Sequence, residues 1–507
     1  MDLLTPVVRI VLSHRVRAIR RFGSDFEKIQ RRTLRKLVRA ARCTVWGREH
    51  GYDKIRSYAD FARQVPFGDF GSHKPYIERM MKGERDVLWP GRVKFFATSS
   101  GTTSDRIKFI PVSDRGLTRC HKQGGRDVTA SYLDQCRDSH VAKGYSLILS
   151  GNFNPKYTTE TAKVGDVSAI MTASIHPRAR KIMHILPETK IAQIQDIREK
   201  YDAIAELIMG KNMVSFSGTP DWNLVLLRHT MEKAGVKTAE EMWPNMEFFA
   251  HGGMSFLPYR PIFDELFPSG KIKYIENYNA SEGFFGFQND LSRNDMILAL
   301  DYEVFYEFVP MHEYGRPDAH ALPLWQTEVG VDYALVISTS SGLWRYFLGD
   351  VVRFTQKAPY RFVIVGRTHQ CINLWGEDLS MQQAEKALAD TCAATGAKVL
   401  EFTVAPLMFE DTAEGRHQWL IEFDHRPDDL GRFAHILEKC VREEDHDYFH
   451  FSVSEGGILH PLQVIEARPG LFYDWMKSKG KFGGQHKVPR LSANRKHFEE
   501  LLSMNHQ

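Results

Sequence analysis

The sequence predicts an α/β protein with a large N-terminal domain built on mixed sheets and a smaller α+β C-terminal domain. Short apolar runs alternate with helix-like segments over residues 145–275, which is typical of an α/β architecture. Residues 296–365 are rich in β-branched and aromatic runs and indicate a mostly antiparallel section. The pattern then changes, so we predict domains at residues 1–365 and 366–507.

Composition limits the classes to which the protein can belong. The chain has 507 residues, of which 43% are apolar, and this is enough for a large core divided among units of ~100–200 residues each. No run of 18 or more apolar residues occurs, so no transmembrane helix is predicted. Six scattered cysteines without a CxxC pair are typical of a reduced cytoplasmic protein without structural zinc. A net charge of +4 is too small to indicate nucleic-acid binding by the whole protein.

The first fifty residues are far more basic than the rest of the chain. They hold 13 Lys and Arg against 4 Asp and Glu, a local net charge of +9. Basic and apolar residues interleave between Ile19 and Arg39, which predicts a basic amphipathic helix. Such a helix can contact an acidic membrane or RNA. More often its apolar face docks on the core and its basic face is solvated.

A hydroxyl-rich segment lies between two predicted strands. Val93–Ala97 before it and Ile107–Val112 after it are apolar runs, so the segment is predicted to be a loop. Backbone amides beside a glycine, short hydroxyls and nearby bases can bind phosphate oxygens. A solvated Ser/Thr turn is the alternative, and the chain contains no Walker A motif. The candidate phosphate-binding residues are Ser99, Ser100, Gly101, Thr102, Thr103, Ser104 and Lys108.

Two further segments carry candidate nucleotide contacts. Tyr278, Ser281 and Glu282 follow the strand-like Ile272–Ile275. A carboxylate at the exit of a strand can bind Mg²⁺, a serine can bond a phosphate and a tyrosine can stack on a base. Asp350 follows an apolar run and a glycine, where its carboxylate can accept hydrogen bonds from two ribose hydroxyls. In isolation, Glu282 also suits a solvated loop and Asp350 a tight hairpin turn.

Two basic residues complete the set of candidates. Arg367 follows Gly366 where the composition changes, which suits a hinge with a charged contact, and an ordinary turn with a solvated arginine is the alternative. Lys487 lies in the Gly-flanked basic segment 484–490, from which it can reach a site elsewhere. An isolated surface lysine is the commoner arrangement.

The order of these segments is more specific than any one of them. A hydroxyl-rich loop followed by Tyr-x-x-Ser-Glu, Gly-Asp, Gly-Arg and a late lysine resembles the adenylate-forming enzymes, which include acyl-CoA synthetases, peptide-synthetase adenylation domains and luciferases. Closer still, the chain resembles the Gretchen Hagen family of acyl-acid amido synthetases, named for auxin-responsive plant members, and its bacterial branch. The segments that carry this resemblance are Tyr76–Pro90, Ser99–Thr102, Tyr278–Glu282, Tyr346–Arg353 and Gln485–Arg490.

The resemblance implies a role for each candidate residue. The implied contacts are ATP phosphates for Ser99–Ser104, the α-phosphate for Ser281, adenine for Tyr278, ribose for Asp350, Mg²⁺ for Glu282, the hinge for Arg367 and charge neutralisation during adenylation for Lys487. Two departures from the family pattern weaken any transfer of plant substrate preferences. Ser104 stands where general adenylate formers have glycine, and residues 376–378 read Gly-Glu-Asp close to a lysine of plant members.

By the same resemblance, the chain is expected to be an ATP-dependent, AMP-forming ligase. A carboxylic acid would attack the α-phosphate of MgATP to give acyl-AMP and pyrophosphate, and an amine such as an amino acid would then take the acyl group. The C-terminal domain is expected to rotate between the two steps. The alternatives are an acyl-CoA ligase that shares the first step, and a non-catalytic protein that binds a membrane or RNA through its basic N-terminal helices.

Overall fold

The computed structural model describes residues 4–99, 107–257, 259–316, 318–368, 371–372, 379–409, 414–452, 458–479, 488–492 and 495–506. The chain divides into two compact units, the first comprising Met1–Met254 and Leu266–Val363, the second Ser255–Glu265 and Ile364–Gln507. Residues 255–265 belong to the second unit although the chain on both sides of them belongs to the first. No feature of the sequence predicts this. The expected limits at 365 and 366 stay a prediction.

The strands are given first, in chain order. They are β1 Phe95–Ser99, β2 Lys108–Val112, β3 Tyr145–Ile148, β4 Lys163–Gly165, β5 Ile185–Leu186, β6 Met213–Gly218, β7 Phe248–Gly252, β8 Lys273–Ala280, β9 Gly283–Phe287, β10 Met296–Leu298, β11 Val304–Pro310, β12 Leu322–Pro323, β13 Asp332–Thr339, β14 Tyr346–Lys357, β15 Tyr360–Arg367, β16 Cys371–Ile372, β17 Leu379–Ser380, β18 Lys398–Met408, β19 Gly415–His425 and β20 Leu459–Glu466.

The helices follow the same order. They are α1 Leu4–Arg20, α2 Phe26–Ala41, α3 Val45–Glu49, α4 Tyr58–Gln64, α5 Phe70–Met81, α6 Asp114–Gly116, α7 Lys122–Gln135, α8 Val167–Ala173, α9 Pro177–Ile182, α10 Thr189–Ala192, α11 Ile197–Ile208, α12 Pro220–Ala234, α13 Ala239–Met242, α14 Arg260–Leu266, α15 Met381–Thr395, α16 Leu430–Glu444, α17 His446–Phe451, α18 Leu471–Ser478 and α19 Lys496–Asn505. A π-helical turn, Leu117–His121, joins α6 to α7, and 3₁₀ turns occupy Val141–Lys143 and Leu324–Gln326.

One large sheet dominates the first unit. Among the described residues, twelve strands follow the order β12-β11-β13-β14-β15-β10-β9-β8-β7-β6-β3-β5. From β5 to β8 the pairs are parallel, and the described pairs from β8–β9 onward are antiparallel. The predicted α/β fold with mixed sheets is therefore confirmed. In open α/β sheets, ligands bind beyond the carboxyl ends of the parallel strands.

A second, three-stranded sheet carries the hydroxyl-rich segment. β1 and β2 pair antiparallel, with Ser99 opposite Lys108, and β4 pairs parallel with β1. The segment therefore connects two paired strands, as the flanking apolar runs predict. Residues 100–106 lie outside the described residues.

The basic N-terminal pattern is divided between two helices, because α1 ends at Arg20 and α2 begins at Phe26. The buried side chains of α2 recur at helical spacing, at Gln30, Thr33, Leu34, Leu37, Val38 and Ala41. Its basic residues between these positions are exposed, at Arg31, Arg32, Arg35, Lys36 and Arg39. This is the docked arrangement of an amphipathic helix, with the basic face in solvent.

Local helix signals predict some ends and miss others. In the sequence, Ser57 and Ser113 each precede a helical pattern and are predicted to be N-caps. In the structure they cap α4 and α6, and each accepts a hydrogen bond from a main-chain N–H three residues on. The sequence pattern also predicts a helix that begins at Tyr76 and ends at Gly83. In the structure, α5 starts earlier, at Phe70, where Asp69 and Ser72 form a capping box. Because proline is disfavoured inside helices, Pro75 led the sequence pattern to place the start of the helix after it.

The second unit is built on a three-stranded sheet with β18 antiparallel to β19 and β19 parallel to β20. The guanidinium of Arg490 is buried in this unit and makes several polar contacts. This group donates to Glu401 at 2.6 Å, to Glu385 at 2.8 Å and to the Tyr259 hydroxyl at 3.1 Å. Two carboxylates and one aromatic hydroxyl thus fix the chain just after residues 480–487, which lie outside the described part.

Within the described ranges, no helix has both the length and the hydropathy that a membrane crossing requires.

Candidate functional site

The segment that begins at Tyr278 forms the tip of a β-hairpin. β8 runs on through Ala280, so Tyr278 and Asn279 lie in a strand, and Ser281 and Glu282 make the turn into β9. The sequence pattern had indicated a strand only as far as Ile275. Tyr278 in the strand and Ser281 in the turn are buried, whereas Glu282 in the turn is half-buried.

Asp350 lies inside β14 and not in a hairpin turn. The ladder between β13 and β14 is interrupted, because Ala334 pairs with Val351 and Val336 with Phe347, which leaves Leu348–Asp350 as a bulge. Gly349 has φ of 89°, a left-handed conformation that glycine adopts without a steric penalty. Bulges re-aim side chains and are over-represented next to active sites.

The bulge brings Asp350 to Tyr278. The Tyr278 hydroxyl donates a hydrogen bond to the Asp350 carboxylate, across 72 residues of sequence, and both side chains are buried. Two residues that were predicted separately as nucleotide contacts therefore touch.

The same hairpin adjoins the base of the hydroxyl-rich segment. Ser281 Oγ donates to the main-chain carbonyl of Thr98 at 3.0 Å. Ser99 ends β1 opposite Lys108, and both are half-buried. The first predicted phosphate contact thus lies one residue from the main-chain contact of Ser281. The remaining predicted loop residues lie outside the described residues and stay predictions: Ser100, Gly101, Thr102, Thr103 and Ser104.

A chain of polar contacts supports the end of β1. Thr98 Oγ1 donates to Asp166 at 3.2 Å, and the other oxygen of Asp166 accepts from the Asn152 main-chain N–H at 3.0 Å. Lys200 Nζ donates to the Ser150 carbonyl at 2.7 Å and to Asn152 Oδ1 at 2.8 Å. Burial lowers the pKa of Lys200 to about 8, and the Asp166 carboxylate opposes that shift. The buried amine of Lys200 therefore stabilises the loop that follows β3.

The π-helical turn before α7 packs against the hairpin. Cys120 Sγ accepts a hydrogen bond from the Phe284 main-chain N–H at 3.1 Å, and His121 Nδ1 lies 2.9 Å from Asn279 Oδ1. Burial lowers the pKa of His121 to about 4, so the ring is neutral at physiological pH and its Nδ1–H donates to Asn279. Single π turns inside helices are frequent at functional sites.

The end of β7 pairs with β8 on the side opposite to β9. Gly252 pairs with Asn277, and the Asn277 side chain donates to the His251 carbonyl at 2.8 Å. A Cβ on Gly252 would lie 2.2 Å from the Asn277 carbonyl oxygen, so only glycine fits there. The carboxyl end of β7 therefore packs against β8 with no room for a side chain at position 252.

Three residues of this region were not predicted. Asp166 stands where a helix N-cap is expected, Lys200 lies in an amphipathic helix that suits a solvated lysine, and His121 lies in a helical pattern. No local feature separates them from ordinary residues of those kinds. Only the pairing of distant strands identifies them.

The remaining predicted residues are placed as follows. Arg367 is exposed at the end of β15 and not in a turn. Lys487 and residues 373–378 lie outside the described residues, so the role of Lys487 stays a prediction. Within the described ranges, no group of three or more His, Cys, Asp or Glu side chains is placed to hold a metal ion. A single carboxylate such as Glu282 does fit Mg²⁺ that is also bound by substrate phosphates.

Three models of one family match successive parts of the chain. The GH3 family N-terminal domain matches residues 15–210, the GH3 family central domain 297–367 and the GH3 family C-terminal domain 382–496. The chain belongs to the GH3 family. The predicted family and the predicted class of enzyme, an AMP-forming ligase, are therefore confirmed.

Plant proteins of the same family are similar to this GH3 chain over most of its length. Indole-3-acetic acid-amido synthetase GH3.8 of Oryza sativa subsp. indica is 24% identical, over 94% of this chain and 90% of its own. Indole-3-acetic acid-amido synthetase GH3.4 of Arabidopsis thaliana is 26% identical, over 85% and 83%. The 4-substituted benzoates-glutamate ligase GH3.12 of Arabidopsis thaliana is 21% identical, over 87% and 88%.

Solved structures share the fold. The GH3.15 acyl acid amido synthetase superposes with a TM-score of 0.78 at 17% identity, over 96% of this chain and 94% of that one. A 2-hydroxyisobutyryl-CoA ligase in its postadenylation state gives 0.61 at 11% identity, over 95% and 92%. The predicted fold class, a large α/β N-terminal part with a smaller C-terminal part, agrees with both.

Proposed function

We propose that this GH3 chain activates a small carboxylic acid with ATP and transfers the acyl group from acyl-AMP to an amine, such as an amino acid. The contact between Tyr278 and Asp350 is the observation that carries the proposal. It joins two nucleotide-contact candidates in one buried place, and Ser281 ties that place to the end of β1. Membership of a family whose named relatives join acids to amines supports the second half-reaction.

The arrangement suits a nucleotide that lies along the hairpin. In this proposal the Tyr278 ring contacts adenine and the Asp350 carboxylate accepts hydrogen bonds from the ribose. Ser99 and Ser281 lie at the two strand ends where phosphates are expected. Short hydroxyls and main-chain N–H groups there would stabilise the charge that develops on the α-phosphate as the carboxylate attacks.

Mg²⁺ is proposed to accompany ATP. Glu282 sits on the turn between β8 and β9, half-buried, with its carboxylate one residue from Ser281. Mg²⁺ usually takes one or two protein carboxylates and completes its shell with phosphate oxygens and water. When bound, the ion supplies charge neutralisation to the phosphates. Glu282→Gln is expected to raise the Mg²⁺ concentration that half-saturates adenylation.

Lys487 is proposed to neutralise charge in the adenylation step, and Arg367 to lie at a hinge about which the second unit rotates before acyl transfer. Removing one preplaced donor to developing charge typically costs about 10²–10³ in rate. Lys487→Ala is therefore expected to lower ATP–pyrophosphate exchange by roughly that factor. Exchange near the wild-type rate would exclude Lys487 from the mechanism.

The proposal is tested by ATP–pyrophosphate exchange with a panel of carboxylic acids, one at a time. Exchange that depends on an acid establishes adenylation and names the substrate class. No exchange with any acid, together with no binding of ATP, would favour the non-catalytic alternative. The active acid is then supplied with pooled amino acids or with CoA, and AMP release with only one of them separates the amido synthetase from the CoA ligase.

A further inference from the structure

Helix α1 is held on the first unit by one of its faces. Arg9 donates to the Leu133 and Cys136 carbonyls at 3.1 Å each, at the carboxyl end of α7. Arg15 pairs with the buried carboxylate of Asp127 at 2.7 Å. These polar contacts and the burial of Ile19 on the same side attach this face of the helix to the first unit.

The opposite face of α1 is apolar and faces solvent. Ile10 is 73% exposed, Val11 61% and Val7 52%, and Leu4 lies beside them. Spacings of three and four residues place Leu4, Val7 and Val11 on one stripe. Since the inner face already anchors the helix, this outer stripe has no role in docking it.

Two more exposed apolar residues lie with α1 near the amino ends of the parallel strands of the large sheet. The first turn of α1 meets the chain just before β3, where Thr5 Oγ1 accepts from the Ala142 N–H at 3.1 Å. Tyr145 at the start of β3 stacks on His184 at 5.0 Å. Ile182 and Met183 precede that histidine and are 63% and 55% exposed. We refer to the set as the amino-edge surface, comprising Leu4, Val7, Ile10, Val11, Ile182 and Met183.

The surroundings of the amino-edge surface are basic. Lys181 adjoins Ile182, Arg17 lies on α1, and Lys143 follows Ala142, which contacts Thr5 of α1; all three basic residues are exposed. Lys211 Nζ lies 4.9 Å from the Tyr145 ring. Residues 1–20, which include α1, hold four arginines against one aspartate. Apolar side chains within a basic rim match a surface that offers both hydrocarbon and negative charge.

The position of this surface leaves the candidate site accessible. β3, β5 and β6 begin at the amino-edge surface and run parallel to β7 and β8. Of the predicted nucleotide contacts, Tyr278 and Ser281 lie at the carboxyl end of β8, at the opposite edge. Docking through one edge therefore does not cover the other.

We propose that the amino-edge surface docks this enzyme on a membrane surface containing anionic lipids, without spanning it. Val7, Ile10 and Val11 would enter the headgroup region, and the basic rim would contact lipid phosphates. A second copy of the chain is the weaker occupant, because two such basic surfaces repel each other. RNA is weaker also, because its phosphate backbone gives no reason for six exposed apolar side chains.

Flotation of the full chain with lipid vesicles tests the proposal. We expect binding to phosphatidylcholine vesicles that contain phosphatidylglycerol, little binding to phosphatidylcholine alone, and weaker binding at high salt. The variant V7E/I10E replaces two outward apolar groups without touching the anchoring face, and it should lower the bound fraction about tenfold or more. Val329→Glu, at a 49% exposed valine before β13, is the matched control and should bind as the wild type does.

Four results would overturn the proposal. One is binding by V7E/I10E equal to that of the wild type. The second is equal binding to both kinds of vesicle. The third is concentration-dependent dimerisation in sedimentation velocity with no vesicle binding, which would assign the surface to a second copy. The fourth is salt-sensitive retention of an RNA probe without vesicle binding. Pyrophosphate exchange without vesicles reports separately on the proposed activity, which V7E/I10E should retain.

Discussion

Replacement of His121 by asparagine is expected to make the fold less sensitive to acid. The buried ring has a pKa of about 4 in the folded protein, against the ordinary value of about 6.5 that it has when exposed. The unfolded chain therefore binds the proton more readily. The stability that follows from a neutral His121 is complete above about pH 6.5 and is lost as the pH falls toward 4. Asparagine keeps an N–H group facing Asn279 and removes the titration.

The expected size of the effect follows from the two pKa values. Between pH 7 and pH 5, a shift from about 6.5 to about 4 costs about 2 kcal/mol of unfolding free energy for each such histidine. His73 is the second one, since burial lowers its pKa to about 4 and its Nε2 accepts from the Trp344 N–H at 3.2 Å. The wild type should thus lose about 4 kcal/mol from these two groups and His121→Asn about 2 kcal/mol.

Urea unfolding at pH 7 and pH 5, followed by tryptophan fluorescence, measures this difference. His312→Asn replaces an exposed ring and serves as the matched control for loss of a histidine. If His121→Asn lost as much stability between the two pH values as the wild type and the control, His121 would not be held neutral by burial. The assignment of a neutral His121 that donates through Nδ1–H to Asn279 would then be wrong.

Three further substitutions concern a buried ion pair, a half-exposed ion pair and the Tyr278 hydroxyl. Glu307→Gln leaves the Arg345 charge buried without its partner, as their side chains are only 0% and 6% exposed, and should cost about 3–5 kcal/mol in urea unfolding. Asp332→Asn breaks a half-exposed pair with Arg353, between β13 and β14, and should cost about 0–1 kcal/mol. Equal losses in the two variants would contradict the assignment by burial. Tyr278→Phe keeps the ring but removes the donor to a carboxylate, so the KM for ATP in pyrophosphate exchange should rise about tenfold to a hundredfold. An unchanged KM would separate this hydroxyl from nucleotide binding.

Local chemistry made part of the fold predictable. Ser57 and Ser113 cap helices through their own hydroxyls, which needs no distant partner. The end of β8 was not predictable in this way, because Asn277 and Asn279 have low strand propensity and are held in the ladder by β7 and β9. Tertiary pairing decided the conformation of that segment against its local preference.

The residues of the candidate site also fall into a group that the sequence predicts and a group that depends on tertiary contacts. Individual residues such as Tyr278 and Asp350 were selected by their order along the chain, and the structure places these two in contact. Asp166 and Lys200 were not found, because each suits a common structural role in its own element and is recognised only through Thr98 and Asn152. Residue order can identify the groups expected to contact the nucleotide, but not the groups that hold them in place.

The carboxyl end of β8 is where the sheet changes from parallel to antiparallel, and three irregular features meet there. These are the π-helical turn at His121, the bulge at Gly349 and the close approach at Gly252. A chain selected for stability alone has no reason to collect such departures from ideal geometry in one place. Proteins depart from local rules mainly at functional sites, where positioning of particular groups matters more than ideal backbone geometry. The concentration of irregular backbone around Tyr278 is therefore an argument for the site that does not depend on which residues the family motifs contain.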